Sequence, residues 1–369
     1  MISSILTLAI AFFSLIALMV IHEFGHFIVA KKFGVRVDEF GIGYPPRIFG
    51  KKIGETIYSI NLLPFGAFVR IYGEEGGVDD YRSFIGLKIW KRVLIIIGGV
   101  VAFWITSIIL FSIVFAIGAD LPVGDQDISG MSNAQVKVIS VEFGSPAEKA
   151  GLKAGDSLLQ VQGLEIKKIK DFQDFTKQHA GEQIDLKIKR GDKTFDIFLV
   201  PRANLLAGQG AIGVALERMA TLIQKHPWYE APVQGAIYTW QTTASGLVGL
   251  YSVFANMFTG KGVPAGAELA GPLGITVFLA NAASYGAGFF LYFISVISVF
   301  VAIFNLFPIP ALDGGKLIFL AIEKIMKKPV PVKIEQNITV IFFILLISLS
   351  IFVTIRFDIP RFINYFYVK

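Results

Sequence analysis

The chain has 369 residues, 54% of them hydrophobic and 17% charged, with a mean hydropathy of +0.64. An ordinary soluble globule carries about 25% charge, so a purely soluble protein is excluded. There are no cysteines, which excludes disulfides and thiolate metal sites.

The charge is unevenly spread. Asp120 to Glu217 holds 12 Lys/Arg and 14 Asp/Glu in 98 residues, whereas the other 271 residues hold only 22 and 14. One soluble domain therefore interrupts a membrane protein. The net charge of +6 comes from the membrane part, where it follows the positive-inside rule. Membrane lipid is the expected partner, and no nucleic acid is.

Residues 5–30 are almost continuously apolar, and a helix of that length spans about 39 Å against a bilayer core of about 30 Å. No basic segment precedes the run and no small-residue cleavage pattern follows it, so it reads as a retained span rather than a signal peptide. Within it, His22-Glu23-Phe24-Gly25-His26 forms an H-E-x-x-H motif. Residues four apart on a helix lie one turn apart and about 40° around the axis. Both imidazoles can then reach one Zn²⁺ while the glutamate reaches its water. Ionisable groups inside an apolar span are expensive and point to function.

The following loop, 31–92, carries 11 Lys/Arg against 7 Asp/Glu and belongs in the cytosol. Its stretches EFGIGYPPRIFG and YSINLLPFGAFVRIYG are apolar and strand-like. Backbone touching a membrane must have its hydrogen bonds satisfied, which predicts a hairpin sheet buried in the protein near the active site. Its edge could pair with an unwound substrate. Residues 93–118 are the second span, closing a first membrane part at 1–119.

Residues 120–217 form the soluble domain. After a polar lead-in at 124–133, a strand starts near Val136 and Ser145 caps a short helix with Pro146 in its first position. IDLKIKRG and KTFDIFLV make a hairpin turning at 190–192. Residues 218–288 read as a linker and an interfacial helix, in which 232–258 lies at the interface or along the protein; a fifth span suits its weaker hydropathy less. Spans three and four, 289–307 and 338–355, lie in the last membrane part, 289–369. The lysines between them (Lys316, Lys324, Lys327, Lys328 and Lys333) place that connection in the cytosol. The N-terminus, soluble domain and C-terminus fall on the other side.

A hydrolytic zinc site takes three protein ligands. His179 and His226 belong to the far side, which leaves Asp313 in FNLFPIPALDGGKLIFLAIEKI as the candidate third ligand. Pro308 and Pro310 break the helix before it, and Gly314-Gly315 allow backbone to pack closely. The motif and Asp313 both fall in the cytosolic half of the membrane. Asn305 carries an amide that hydrocarbon cannot satisfy; it either contacts substrate or bonds between helices. Lys316 reads as a snorkelling interfacial cation.

HEFGH at 22–26, FGIG at 40–43, PFGAFV at 64–69, GSPAEKAGLKAGDSLLQVQG at 144–163 and NLFPIPALDGG at 305–315 together resemble the site-2 protease family. More narrowly, they resemble bacterial PDZ-containing intramembrane zinc metalloproteases, which cleave anti-sigma factors or remnant signal peptides. The resemblance implies an α-helical membrane protein with four transmembrane helices, a membrane-reentrant β-hairpin and one inserted α+β PDZ-like domain. It implies His22, His26 and Asp313 as ligands of one Zn²⁺ per chain, and Glu23 as the catalytic acid/base. Gly66, Ala67, Phe68, Val69 and Asn305 would touch substrate, and GAIGVAL at 210–216 would be the closing strand of the PDZ-like domain. The implied substrates are single-pass membrane proteins of the bacterial cytoplasmic (inner) membrane, with the PDZ-like domain extracytoplasmic. Two features depart from the pattern. Well-known Gram-negative members carry two PDZ domains where this chain has room for one, and Lys316 stands where a histidine often follows LDGG. A membrane-anchored PDZ receptor with a non-catalytic zinc site is the alternative. A zinc transporter fits less well, since only one intramembrane ligand set is present.

Overall fold

The computed structural model describes residues 2–74, 76, 80–125, 127, 131–204, 210–223, 226–259 and 270–367. Parts of the lead-in at 124–133 and of the linker at 218–288 lie outside the described residues. The chain runs as α1 (Ile2–Lys32), β1 (Val37–Ile53), β2 (Thr56–Ile71), α2 (Ile89–Ile117), β3 (Ala119–Pro122), β4 (Ser132–Val141), α3 (Pro146–Lys149), β5 (Ser157–Val161), β6 (Leu164–Glu165), α4 (Ile169–Gln178), β7 (Ile184–Arg190), β8 (Lys193–Leu199), β9 (Val214–Ile223), α5 (Ala231–Phe258), α6 (Pro272–Ser284), α7 (Ala287–Asn305), α8 (Asp313–Met326) and α9 (Val332–Val353). A π-helical turn at Thr354–Asp358 then leads into α10 (Ile359–Tyr367).

Among the described residues, four helical stretches are long and apolar enough to cross a membrane: Ile5–Lys32, Ile89–Ile117, Ala287–Asn305 and Val332–Ile363. They match the four runs read from sequence. Serines tie two of them together: Ser298 Oγ donates to the Phe103 carbonyl at 2.8 Å and Ser107 Oγ to the Ser295 carbonyl at 3.1 Å. Interhelical bonds of this kind hold where helices gain little from hydrophobic contrast with lipid.

Two elements of the linker region have definite places. α5 packs along α2: Gly235 meets the Ile108 carbonyl, and Thr239 Oγ1 lies 3.4 Å from Ser107 Oγ. Its 28 residues run beside the second span. α6 falls in the segment expected to be linker, yet Leu279 and Ala280 are fully buried in a core shared with Ala11, Leu18, Val100 and Phe103. Its 13 residues reach only about 20 Å, too short to register as a span. Its first turn is fixed by buried Asp358, whose Oδ1 accepts from the Gly271 N–H at 3.0 Å.

The soluble domain is a sheet in the order β3-β9-β4-β5-β7-β8, with β6 added to β5. Alternating strand residues pack its core: Val136, Val138, Ile184, Leu186 and Ile188 are fully buried, and Leu158 and Phe172 nearly so. Ser145 caps α3 as expected, its Oγ accepting from the Glu148 N–H at 3.1 Å. The sheet extends past the expected boundary at 217, because β3 pairs with the second half of β9. Tyr285 docks the domain on the membrane part by donating to the Val138 carbonyl at 3.0 Å.

β1 and β2 pair antiparallel, and each doubles back. Residues 37–42 meet 67–71 on one side and 57–60 on the other, while 47–53 pair with 56–61. The backbone is thus satisfied within the sheet itself. This corrects the expectation of a sheet buried in protein: Val37, Phe40, Ala67 and Ile71 are buried, but Ile48, Phe49, Leu62 and Phe65 are more than half exposed. Ladder bonds, rather than burial, meet the hydrogen-bonding requirement.

Candidate metal centre and active site

His22 and His26 lie one turn apart on the buried face of α1, each 7% exposed. The chain reverses after α7 through FPIPAL, and Asp313 opens α8. The two glycines after it have a steric reason: a Cβ on Gly314 would strike the Leu306 and Phe307 carbonyls, and one on Gly315 would strike Ile309 and Pro310. Without side chains there, α8 starts directly against the loop and its first carboxylate points back at α1.

The result is a nearly equilateral triangle of ligand atoms. His22 Nε2 and His26 Nε2 are 3.2 Å apart, and Asp313 Oδ2 lies 3.3 and 3.4 Å from them. Zinc–nitrogen and zinc–oxygen bonds of about 2.0–2.1 Å give tetrahedral edges of about 3.3–3.4 Å, so three corners of a zinc tetrahedron are in place. The donor chemistry agrees. Asp313 Oδ2 is buried without a hydrogen-bond partner, and such an atom needs a cation or proton. His26 Nδ1 faces the Ile95 carbonyl at 2.9 Å. Donation of its proton there leaves the Nε2 lone pair for a metal. Among the described residues this is the one cluster of three such groups able to hold a metal ion.

α2 shapes the back wall. A Cβ on Gly99 would collide with both motif imidazoles, and Gly25 and Gly98 sit where α1 and α2 touch backbone to backbone. The His22 ring stacks on Phe103 at 4.7 Å between centroids. These glycines were not singled out from sequence. Gly98-Gly99 in the first third of the second span was the available signal, since small residues mark close helix crossings in membranes.

Glu23 Oε2 accepts a hydrogen bond from the Val69 N–H at 3.1 Å. The strand 67–71 thus lies against the turn of α1 that carries the motif. Of the expected substrate contacts, Gly66 sits beside Tyr44 and Met19, Ala67 is buried, and Phe68 stacks on Tyr44 at 6.2 Å. Asn305 donates to the Val301 carbonyl of its own helix at 3.0 Å and is not drawn into the triangle. Lys316 differs from its snorkelling expectation: its Nζ pairs with Glu74 Oε1 at 2.5 Å.

Histidine, glutamate, histidine and aspartate brought together among apolar helices have the residue types and spacing of a zinc-peptidase site in an integral-membrane protein. Residues 10–349 match the model of "Peptidase family M50", and the chain belongs to that family. It is 34% identical to a Clostridium perfringens protein over 92% of this chain and 95% of that one. A Clostridium acetobutylicum protein is 32% identical over 98% and 100%, and one from Nostoc 29% identical over 93% of each. All three carry the name "Putative zinc metalloprotease". A solved PDZ domain of an SdrC-like protein from Listeria monocytogenes aligns with 22% of this chain and 85% of its own, at 29% identity and a TM-score of 0.20.

Proposed function

We propose that the chain is an intramembrane endopeptidase that hydrolyses a peptide bond within or beside the transmembrane segment of a single-pass membrane protein. Anti-sigma factors and remnant signal peptides are the substrate types the family resemblance suggests. The observation that carries the reading is the His22–His26–Asp313 triangle with Glu23 beside it, on a helix apolar enough to cross a bilayer. His22, His26 and Asp313 would hold one zinc ion per chain. When bound, the ion supplies the Lewis acidity that activates water and polarises the scissile carbonyl. Glu23 takes the proton of the attacking water and delivers it to the leaving amine. A helical substrate hides its amides, so the reacting segment must unwind, and strand 67–71 beside Glu23 offers an edge for it.

The same residues support a placement in the cytosolic half of the bacterial cytoplasmic membrane: about 15 Å of helix runs from His22 to Lys32 at the basic end of α1. The turn of the sheet at Phe65 reaches Phe12, ring to ring at 6.3 Å, about 15 Å further along α1 from His22. That depth, with the exposed apolar side chains of 44–65, supports a reentrant sheet. The PDZ-like domain would then lie extracytoplasmically and dock or filter substrates.

The test replaces Glu23 by Gln in purified, zinc-loaded protein and follows cleavage of a transmembrane substrate, with zinc content measured in parallel. The expected outcome is full zinc occupancy and a rate lowered by at least about 10²-fold, the usual scale for a lost general base. Undiminished cleavage would overturn the mechanism.

A further inference from the structure

Strand 67–71 is joined to both elements that supply the metal ligands. At its middle, the Val69 N–H holds Glu23 on α1. Just beyond its end, the turn closed by the Glu74 N–H on the Ile71 carbonyl at 3.2 Å presents the Glu74 carboxylate to Lys316. Lys316 stands three residues after Asp313 on α8, so the pair is anchored one turn from the ligand. α8 is fixed a second time at its far end, where Glu323 pairs with buried Arg92 on α2. The inner ladder of the strand is occupied by 37–42, and Val69 points its amide outward to the motif.

We propose that Lys316 is a positioning residue: paired with Glu74, it holds strand 67–71 against α1 so that the Val69 amide keeps the Glu23 carboxylate aimed at the metal triangle. Three links are coupled in series, from Lys316 to Glu74, from Glu74 through the strand to Val69, and from Val69 to Glu23. Loosening the first frees the last without touching a ligand. A carboxylate that must take a proton and return it loses rate when its orientation is lost.

The kinetic part of the test rests on the peptidase reading above; hydrogen exchange does not. In full-length protein in lipid nanodiscs, Lys316→Ala and Glu74→Ala should each speed amide exchange in peptides covering 67–71, while zinc content stays at the wild-type level. With a cleavable substrate, each should lower kcat by about 10- to 100-fold, the scale of outer partners around a metal site. Lys316→Arg should restore most of both readouts. The exchanged pair, Lys316→Glu with Glu74→Lys, should perform better than either single reversal. If the two alanine variants leave exchange at 67–71 unchanged, the clamp is wrong. It is also wrong if Lys316→Ala lowers kcat while Glu74→Ala does not, since Lys316 would then act on its own. Wild-type protein that holds zinc but never cleaves would refute the peptidase reading, while the exchange result would still decide the clamp. Zinc loss in both alanine variants would overturn the positioning role in favour of a scaffold for the metal site.

Discussion

Among the described residues, two β-sheets are built from similar side chains and arranged oppositely. In the soluble domain Val136, Val138, Ile184, Leu186 and Ile188 are removed completely from the surface. In the β1–β2 sheet Ile48, Phe49, Leu62 and Phe65 are 55 to 66% exposed. A large exposed apolar patch in water marks an interaction site; the same patch in hydrocarbon costs nothing. With the β1–β2 sheet placed in the bilayer as proposed above, the difference teaches that the surrounding solvent decides which side of a sheet is outside. Each sheet satisfies its backbone through its own ladder, and on the reentrant reading proposed above only the medium beyond the side chains differs.

The sharpest way to break this comparison uses the absence of cysteine, which leaves a silent background. Phe65 and Phe198 are similarly exposed, at 65 and 59%, but would face lipid and water. In intact bilayers, Phe65→Cys should resist a membrane-impermeant maleimide while Phe198→Cys reacts fully, and detergent solubilisation should narrow the gap. Equal labelling of both in bilayers would remove the reentrant sheet. The next effect is on stability. Leu186→Ala leaves a cavity in a dry core and should cost about 2–5 kcal/mol, read as a lower unfolding temperature of the soluble domain. Leu62→Ala should cost well under that, because the leucine is more than half exposed and, in the proposed reentrant position, lipid would fill the space. Comparable losses at both positions would show that the β1–β2 sheet packs against protein.

Much of this was legible in the sequence because hydropathy and charge respond directly to the medium. The four spans and the soluble block follow from where charges are tolerated, and the candidate ligand set follows from having so few polar groups in the apolar runs. His22, His26 and Asp313 converge as expected, although 287 residues separate His26 from Asp313. What was not legible depends on distances between segments far apart in sequence. Gly99 is needed because two imidazoles occupy the space of its Cβ, and nothing within the second span states that. Lys316 looks like any interfacial lysine until Glu74, 242 residues away, is seen against it. α6 was hidden by its length, since a mostly apolar stretch of 13 residues suits a buried segment as well as a connection.

The smallest expected effect concerns the face of the soluble sheet turned toward the membrane part. Glu217 on β9 lines a cavity of about 610 Å³ shared with Tyr285, Phe289 and Phe293, and burial raises its pKa. The folded state therefore holds this proton more tightly than the unfolded chain does. The stabilisation is complete below the ordinary glutamate value of 4.5 and is lost as pH rises through the folded value. At neutral pH the charged form sits in a partly apolar cavity and opposes folding. Glu217→Gln should therefore raise the unfolding temperature at pH 7–8 by no more than a few degrees, change it little at pH 4, and leave zinc content untouched. A variant less stable than wild type at pH 8 would mean that the carboxylate is held by a favourable partner, and that this face of the sheet is as well solvated as the rest of the domain's surface.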